Sequence, residues 1–304
     1  MRRHTRHTLV SPAPARALYE LAADVRRWPA IFKPTVHVHH LERGPHTERF
    51  HLWAMVNGEV KSWVSRRKLD PEGLRIHFDQ ERSAPPVASM GGEWIFEPLP
   101  DGATRITLLH DFTAVDDSPD VLEWINTALD RNSPSELNAL SQVAQLCLDD
   151  AVFSFTDRVT VARPVREAYG FLHRSDRWPE HLPHVRRVVL GEPAPGVQDM
   201  EMDTVTADGS GHTTRSIRVC VTDERIAYKQ LVPPRLLLGH SGVWELSETA
   251  EGTEVTSTHT VVLNPEGVRN VLGEGTTPAE ARRFVQDALS RNSRTTLEHI
   301  GSIV

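Results

Sequence analysis

Polar and apolar positions change their period along the chain in one order, and that order occurs twice. A short alternating segment comes first, at 5–10 and again at 152–161. A helical pattern opened by proline follows at 14–22 and 164–172, since proline is tolerated in a helix's first turn. A second short helix is predicted to end at the Trp-Pro pairs, residues 28–29 and 178–179. Several period-two segments then alternate with turn signals. In the first half these turns are Asn57-Gly58, Pro71-Glu72-Gly73 and Asp101-Gly102. In the second they are Asp208-Gly209, Asp223-Glu224 and Glu251-Gly252. Asn-Gly between alternating runs marks a hairpin. Each half closes on a long helical pattern, roughly 120–148 and 277–300, with Pro134 predicted to kink or split the first.

The two halves also match residue by residue. "RWP" stands at 27–29 and at 177–179, an offset of 150. "GGEWIFEPLPDG" lies over "SGVWELSETAEG" at the same offset. With one residue dropped, "TRITLLHDF" lies over "TEVTSTHTV", which sets His110 over His259. "ALDRNSPSEL" lies over "ALSRNSRTTL" at an offset of 160. Blocks in the same order with small gaps indicate duplication, so two domains are expected, 1–149 and 150–304. The element order predicts an α+β fold in each. An antiparallel sheet of one strand plus about six more curls around a long C-terminal helix and encloses a cavity.

Three features look wrong for a simple core. In "SWVSRRKLD" one strand face carries Lys61, Trp63, Ser65 and Arg67 and the other Val60, Ser62, Val64 and Arg66, so neither is cleanly apolar. The first face is either the lining of a polar pocket or an outer surface. Ser216 and Arg218 repeat the Ser-x-Arg pattern, with Thr214 in place of Trp63. His110 shares a face with Ile106, Leu108 and Phe112. It is either a satisfied core histidine or a site residue, and His259 matches it. Asn132 lies on the helical stripe of Ile125, Leu129, Leu140 and Val143, and Asn292 on that of Val285 and Leu289. An asparagine there caps a helix or faces a cavity.

Composition narrows the classes. Of 304 residues, 39% are hydrophobic and 25% charged, as in a soluble globular protein. A net charge of −7 argues against a nucleic-acid binder. No apolar run reaches the roughly 20 residues of a membrane span, and the basic start lacks an apolar signal core. Cys147 and Cys220 are expected to be unpaired, which fits a cytoplasmic protein. His37, His39, His40, His46 and His51 cluster without a carboxylate or cysteine at ligand spacing, so surface histidines are expected rather than a metal. There is no phosphate loop and no nucleophile elbow.

On the "RWP" helix, the "WVSRR" strand, His110 and Asn132, each half resembles the aromatase/cyclases of bacterial type II polyketide synthases. These are a branch of the helix-grip fold shared with START and Bet v 1-like proteins. The tandem layout resembles the di-domain subclass. The pocket tyrosine that some members carry after the Trp-Pro pair is absent from "AIFKPT" and "EHLPHV".

The resemblance implies a poly-β-ketone substrate tethered to an acyl carrier protein, contact with other synthase subunits, and no cofactor. It implies aldol closure and dehydration of the first ring, between carbons seven and twelve. It also implies Arg67 as the key pocket residue. For such chemistry Arg67 would hold an enolate or polarise a carbonyl, His110 would move protons, and Ser65 and Asn132 would orient oxygens. Trp28, Trp63, Trp94 and Phe112 would form the pocket walls. Arg218, Ser216, His259 and Asn292, with Trp178 and Trp244, offer the same set in the second half. A carrier protein, itself acidic, needs a basic patch such as Arg66, Arg67 and Lys68 or Arg186 and Arg187. A helix-grip protein that only binds a lipid or small molecule, and a second copy that only braces the first, are the alternatives.

Overall fold

The computed structural model describes residues 1–146, 148–205 and 211–302, so Cys147 and the Asp208-Gly209 turn lie outside the described residues. The chain divides into two compact units, Met1–Leu148 and Asp149–Val304.

In the first unit β1 (Arg3–Ser11) leads to α1 (Ala15–Ala23), a 3-10 turn at Val25–Arg27 and α2 (Trp28–Ile31). The Trp-Pro pair therefore opens α2 rather than ending a helix. Pro29 needs no N–H partner in that first turn. Then come β2 (Thr35–Arg43), β3 (Thr47–Val56), β4 (Glu59–Asp70), β5 (Arg75–Arg82), β6 (Val87–Pro98) and β7 (Thr104–Ala114). The long helix α3 (Pro119–Ala144) follows, then a short α4 (Leu148–Ala151). Pro134 does not split α3, which runs unbroken through it. The seven strands are antiparallel in the order β1-β7-β6-β5-β4-β3-β2. Asn57 and Gly58 take positive φ of 50° and 87°, the primed turn that the right-handed strand twist favours.

The second unit repeats this with β8 (Val152–Val161), α5 (Val165–His173), a 3-10 turn at Ser175–Arg177 and α6 (Trp178–His181). Its strands β9 (Val185–Ala194), β10 (Val197–Val205), β11 (Gly211–Val221), β12 (Arg225–Val232), β13 (Leu237–Thr249) and β14 (Gly252–Leu263) have the equivalent order. It then departs from the first. An extra helix, α7 (Pro265–Leu272), stands before the long α8 (Pro278–Ser302).

Register confirms the repeat at atomic level. His110 pairs with Gly92 across β7 and β6, and His259 pairs with Gly242 across β14 and β13. Both glycines are forced by close approach. A Cβ on Gly92 would meet the Leu109 carbonyl oxygen at 1.9 Å, and one on Gly242 the Tyr228 ring at 2.4 Å.

Candidate functional site: a two-lobed cavity in the first unit

The concave face of the first sheet, with α3 across it, leaves two joined lobes. Counted out to the open mouth and including solvent there, they hold about 700 and 710 Å³ of empty space. The outer lobe is walled by Lys61, Ala84, Pro85, Val87 and Trp124, and the inner by Trp28, Phe32, Phe50, Phe78 and Trp94 with Ser65 and Arg67. Trp63, Gln80, Met90, His110, Asn132 and Glu136 belong to both lobes and so form the neck. The pocket reading of the Trp-Ser-Arg strand face is therefore the observed one.

His110 is half-buried in this neck, and its Nδ1 has no hydrogen-bond partner. Burial, with His7 nearby, pushes its pKa down to about 4, so the imidazole is neutral at pH 7. The Asn132 side chain donates to the Met55 carbonyl at 3.4 Å. Glu136 was missed by sequence reasoning. It stands one helical turn past Asn132, and that i, i+4 spacing was the available signal.

Arg67 is 1% exposed and most of its donors are occupied. Nε donates to Glu48 Oε1 at 2.7 Å, and Nη2 donates to the same carboxylate and to the Ala23 carbonyl. Nη1 donates to the Ala22 carbonyl at 2.9 Å, which leaves one Nη1 hydrogen. The guanidinium thus caps the last carbonyls of α1 while lying 4.9 Å from the Trp28 ring centre. Burial works to raise the Glu48 carboxyl, but hydrogen bonds from His40 and Arg67 and the charge on Arg67 outweigh it and hold it below the usual carboxylate range.

The second unit arranges matching residues differently. Arg218, 0% exposed, caps α5 by donating to the Leu172 and His173 carbonyls and to Ser175 Oγ. Ser216 is buried on the same strand face. His259 is fully engaged. Gln230 Oε1 only accepts, so His240 Nδ1 carries the hydrogen at 3.0 Å. His240 Nε2 then accepts from His259 Nδ1 at 3.0 Å, and His259 Nε2 accepts from Ser293 Oγ at 2.8 Å. Burial pushes the His259 pKa down to about 4, against the pull of Asp157.

Four expected site residues are displaced. Phe112 lines neither lobe; it packs at 0% exposure with Ile125 and Leu129, behind side chains that wall the outer lobe. Asn292 is exposed, while the next residue, Ser293, is buried and bonded to His259. Trp178 and Trp244 sit in a packed core, ring centres 6.0 Å apart, and do not stand as open walls. Among the histidines, His40 binds Glu48 and His51 stacks on Trp53. No group of three His, Cys, Asp or Glu among the described residues is placed to hold a metal. Cys220 is a free thiol. Arg67 points inward, so the first basic patch reduces to Arg66 and Lys68, while Arg187 is paired with Glu201 and Asp203. No helix among the described residues is long and apolar enough to cross a membrane.

Residues 11–125 and 161–285 match the family described as polyketide cyclase / dehydrase and lipid transport, one copy per unit. The chain belongs to this family. It is 51% identical over 296 residues to the granaticin polyketide synthase bifunctional cyclase/dehydratase of Streptomyces violaceoruber, covering 96% of this chain and 91% of that one. It is 52% identical over 305 residues to the corresponding actinorhodin protein of Streptomyces coelicolor, covering 96% and 94%. The crystal structure of the di-domain ARO/CYC BexL, from the BE-7585A biosynthetic pathway, superposes with a TM-score of 0.83 at 48% identity, covering 99% and 98%. That of the di-domain ARO/CYC StfQ, from the steffimycin pathway, gives 0.82 at 34% identity, covering 98% and 97%. The likeness inferred from "RWP", "WVSRR" and the tandem layout is thereby borne out, as is a helix-grip, α+β fold in each unit.

Proposed function

We propose that the protein is a polyketide cyclase/dehydratase whose chemistry takes place in the first unit's cavity. Its substrate is a poly-β-ketone carried on an acyl carrier protein, and its working place is the cytoplasm beside the other synthase subunits. The observation that carries this reading is the neck. His110 lines both lobes where they meet and no hydrogen bond among the described residues holds its ring, while its counterpart His259 is consumed by its neighbours.

A methylene between two carbonyls is already acidic, so a neutral imidazole suffices as proton acceptor. The two lobes hold the two arms of a bent chain, which places one carbon against one carbonyl; such orientation can account for much of the barrier. His110 takes the methylene proton, the carbon–carbon bond forms, and the imidazolium returns the proton to the new alkoxide. A second cycle removes the neighbouring proton and protonates the departing hydroxyl, releasing water and leaving the ring unsaturated. Arg67 contributes its charge and one Nη1 hydrogen to oxygen in the inner lobe, and Ser65 and Asn132 orient oxygens from the lobe wall and the neck.

The test is the product profile of a reconstituted synthase carrying His110→Gln, with circular dichroism as a folding check. Correctly closed product should fall by about 100- to 10,000-fold, the range for a lost acid–base group, while shunt products rise. A folded variant with the wild-type profile and rate would remove His110 from the chemistry and leave a cavity that only binds.

A further inference from the structure

Among the described residues of the second unit, two buried N–H groups with no partner occupy positions matched to the first unit's inner lobe. Arg218 Nε and Trp244 Nε1 make no hydrogen bond, in residues 0% and 7% exposed. Arg67 and Trp94, which stand at these places in the first unit, both line the inner lobe. Native proteins rarely leave such groups unmet, and a ligand is one of the few things that meets them.

Charge says the same. Glu48 balances Arg67, but the residue in its position is Gln198, and among the described residues no carboxylate pairs with Arg218. The acidic groups near it are the Cys220 thiol and the Tyr169 and Tyr228 phenols. An unbalanced buried guanidinium is costly, and an anion relieves it. The surroundings are aromatic: Trp178 lies 5.8 Å from the guanidinium and Tyr228 5.3 Å from Trp244. In the first unit the Phe32 ring sits 5.2 Å from Trp28 and 6.1 Å from Trp94. Leu182 replaces it in the second, and Trp178 and Trp244 meet directly.

Helix α7 lies on the segment that matches a border of the first unit's outer lobe. Ala84 and Pro85 border the first unit's outer lobe, and Arg235 stands in the position of Pro85. Asn264 Nδ2 donates to the Arg235 carbonyl at 3.1 Å, and a Cβ on Gly267 of α7 would meet that same oxygen at 1.9 Å. The first unit passes from β7 to α3 with no helix between.

We propose that the second unit holds a gated site for an aromatic ring bearing a phenolate or carboxylate, with Arg218 and Trp244 as its donors and α7 as its lid. Ligand entry lifts α7 and parts Trp178 from Trp244. The bound oxygens then accept from Arg218 Nε and Trp244 Nε1. The site is independent of the ring chemistry proposed for the first unit.

The full chain, labelled with 5-fluorotryptophan, is titrated with 1-hydroxy-2-naphthoate and followed by fluorine NMR. Trp244→Phe assigns the Trp244 line, and Trp94→Phe assigns a reporter in the first cavity. The Trp244 line should shift saturably. Arg218→Gln should weaken that binding about tenfold or more, as expected when a charged partner is lost. Gly267→Ala should tighten it several-fold, because the apparent affinity scales with the open fraction. If Arg218→Gln does not fold, Gly267→Ala, which bears on the α7–Arg235 contact and not on the two donors, decides alone. A Trp244 line that stays fixed while the Trp94 line saturates would overturn the proposal. So would an affinity at the Trp244 line that Gly267→Ala leaves unchanged.

Discussion

Glu48→Gln turns the Arg67 environment into that of Arg218, because Gln198 already stands at the matching place. Arg67 and Glu48 are 1% and 5% exposed, so the substitution leaves a desolvated guanidinium without its anion. Breaking a buried pair in this way costs about 3–5 kcal/mol. The second unit shows what softens the loss. Ser175 Oγ accepts from Arg218 Nη1 at 2.8 Å, and its counterpart in the first unit is Val25, 0% exposed. Val25→Ser in the Glu48→Gln background should therefore recover about 1.5–3 kcal/mol, the worth of a hydrogen bond to a charged group. Val25→Ser alone should destabilise, since it exchanges buried apolar surface for a hydroxyl while Glu48 still satisfies Arg67. A double-mutant cycle read by hydrogen-exchange mass spectrometry on peptides within 1–146 measures this in the intact chain, unit by unit. A Glu48→Gln cost below about 1 kcal/mol would refute the reasoning, because Arg67 would then not rest on Glu48. A coupling near zero would refute the comparison between the copies.

Two further outcomes are expected. His110 and His259 each have a folded pKa of about 4, below the ordinary value of 6.5. The unfolded chain therefore binds more protons between those values, and stability is complete above about pH 6.5 and falls as pH drops through 4. Each histidine contributes at most about 3 kcal/mol to that loss, so a denaturant midpoint for either unit that stays flat from pH 7 to pH 4 would contradict the burial of its histidine. Separately expressed, residues 1–148 and 149–304 should each be soluble and give cooperative melts; two insoluble products would mean that the halves share a core.

The duplication was legible because offsets in sequence become register in the sheet: the alignment of His110 with His259 reappears as pairing with Gly92 and Gly242. The change of offset from 150 to 160 was also visible, and it marks the inserted α7, but a count of residues does not say that the insertion is a helix lying on Arg235. Side-chain partners were less readable. The pattern "RNS" is identical in both long helices, yet Asn132 faces the neck while Asn292 faces solvent. The serine of the three is buried in both helices, and only the exposure of the asparagine differs, which the identical local sequence does not encode. Phe112 shows the same limit: alternation gives the face, not which side chains of that face are covered by their neighbours. Glu136 was passed over because a single acidic residue on a long helix is usually solvated.

Arg67 has a consequence for genetics. Its guanidinium closes the end of α1 and also forms part of the cavity wall, so one side chain answers two demands at once. An inactive Arg67 variant is therefore ambiguous by construction, since the loss of a helix cap and of a cavity charge produce the same phenotype. Selection for abundance alone would already hold the position fixed, and its invariance among descendants of this gene would carry no information about chemistry. Ser65, two residues away on the same face and outside that cap, is where a change in product without a change in yield is attainable.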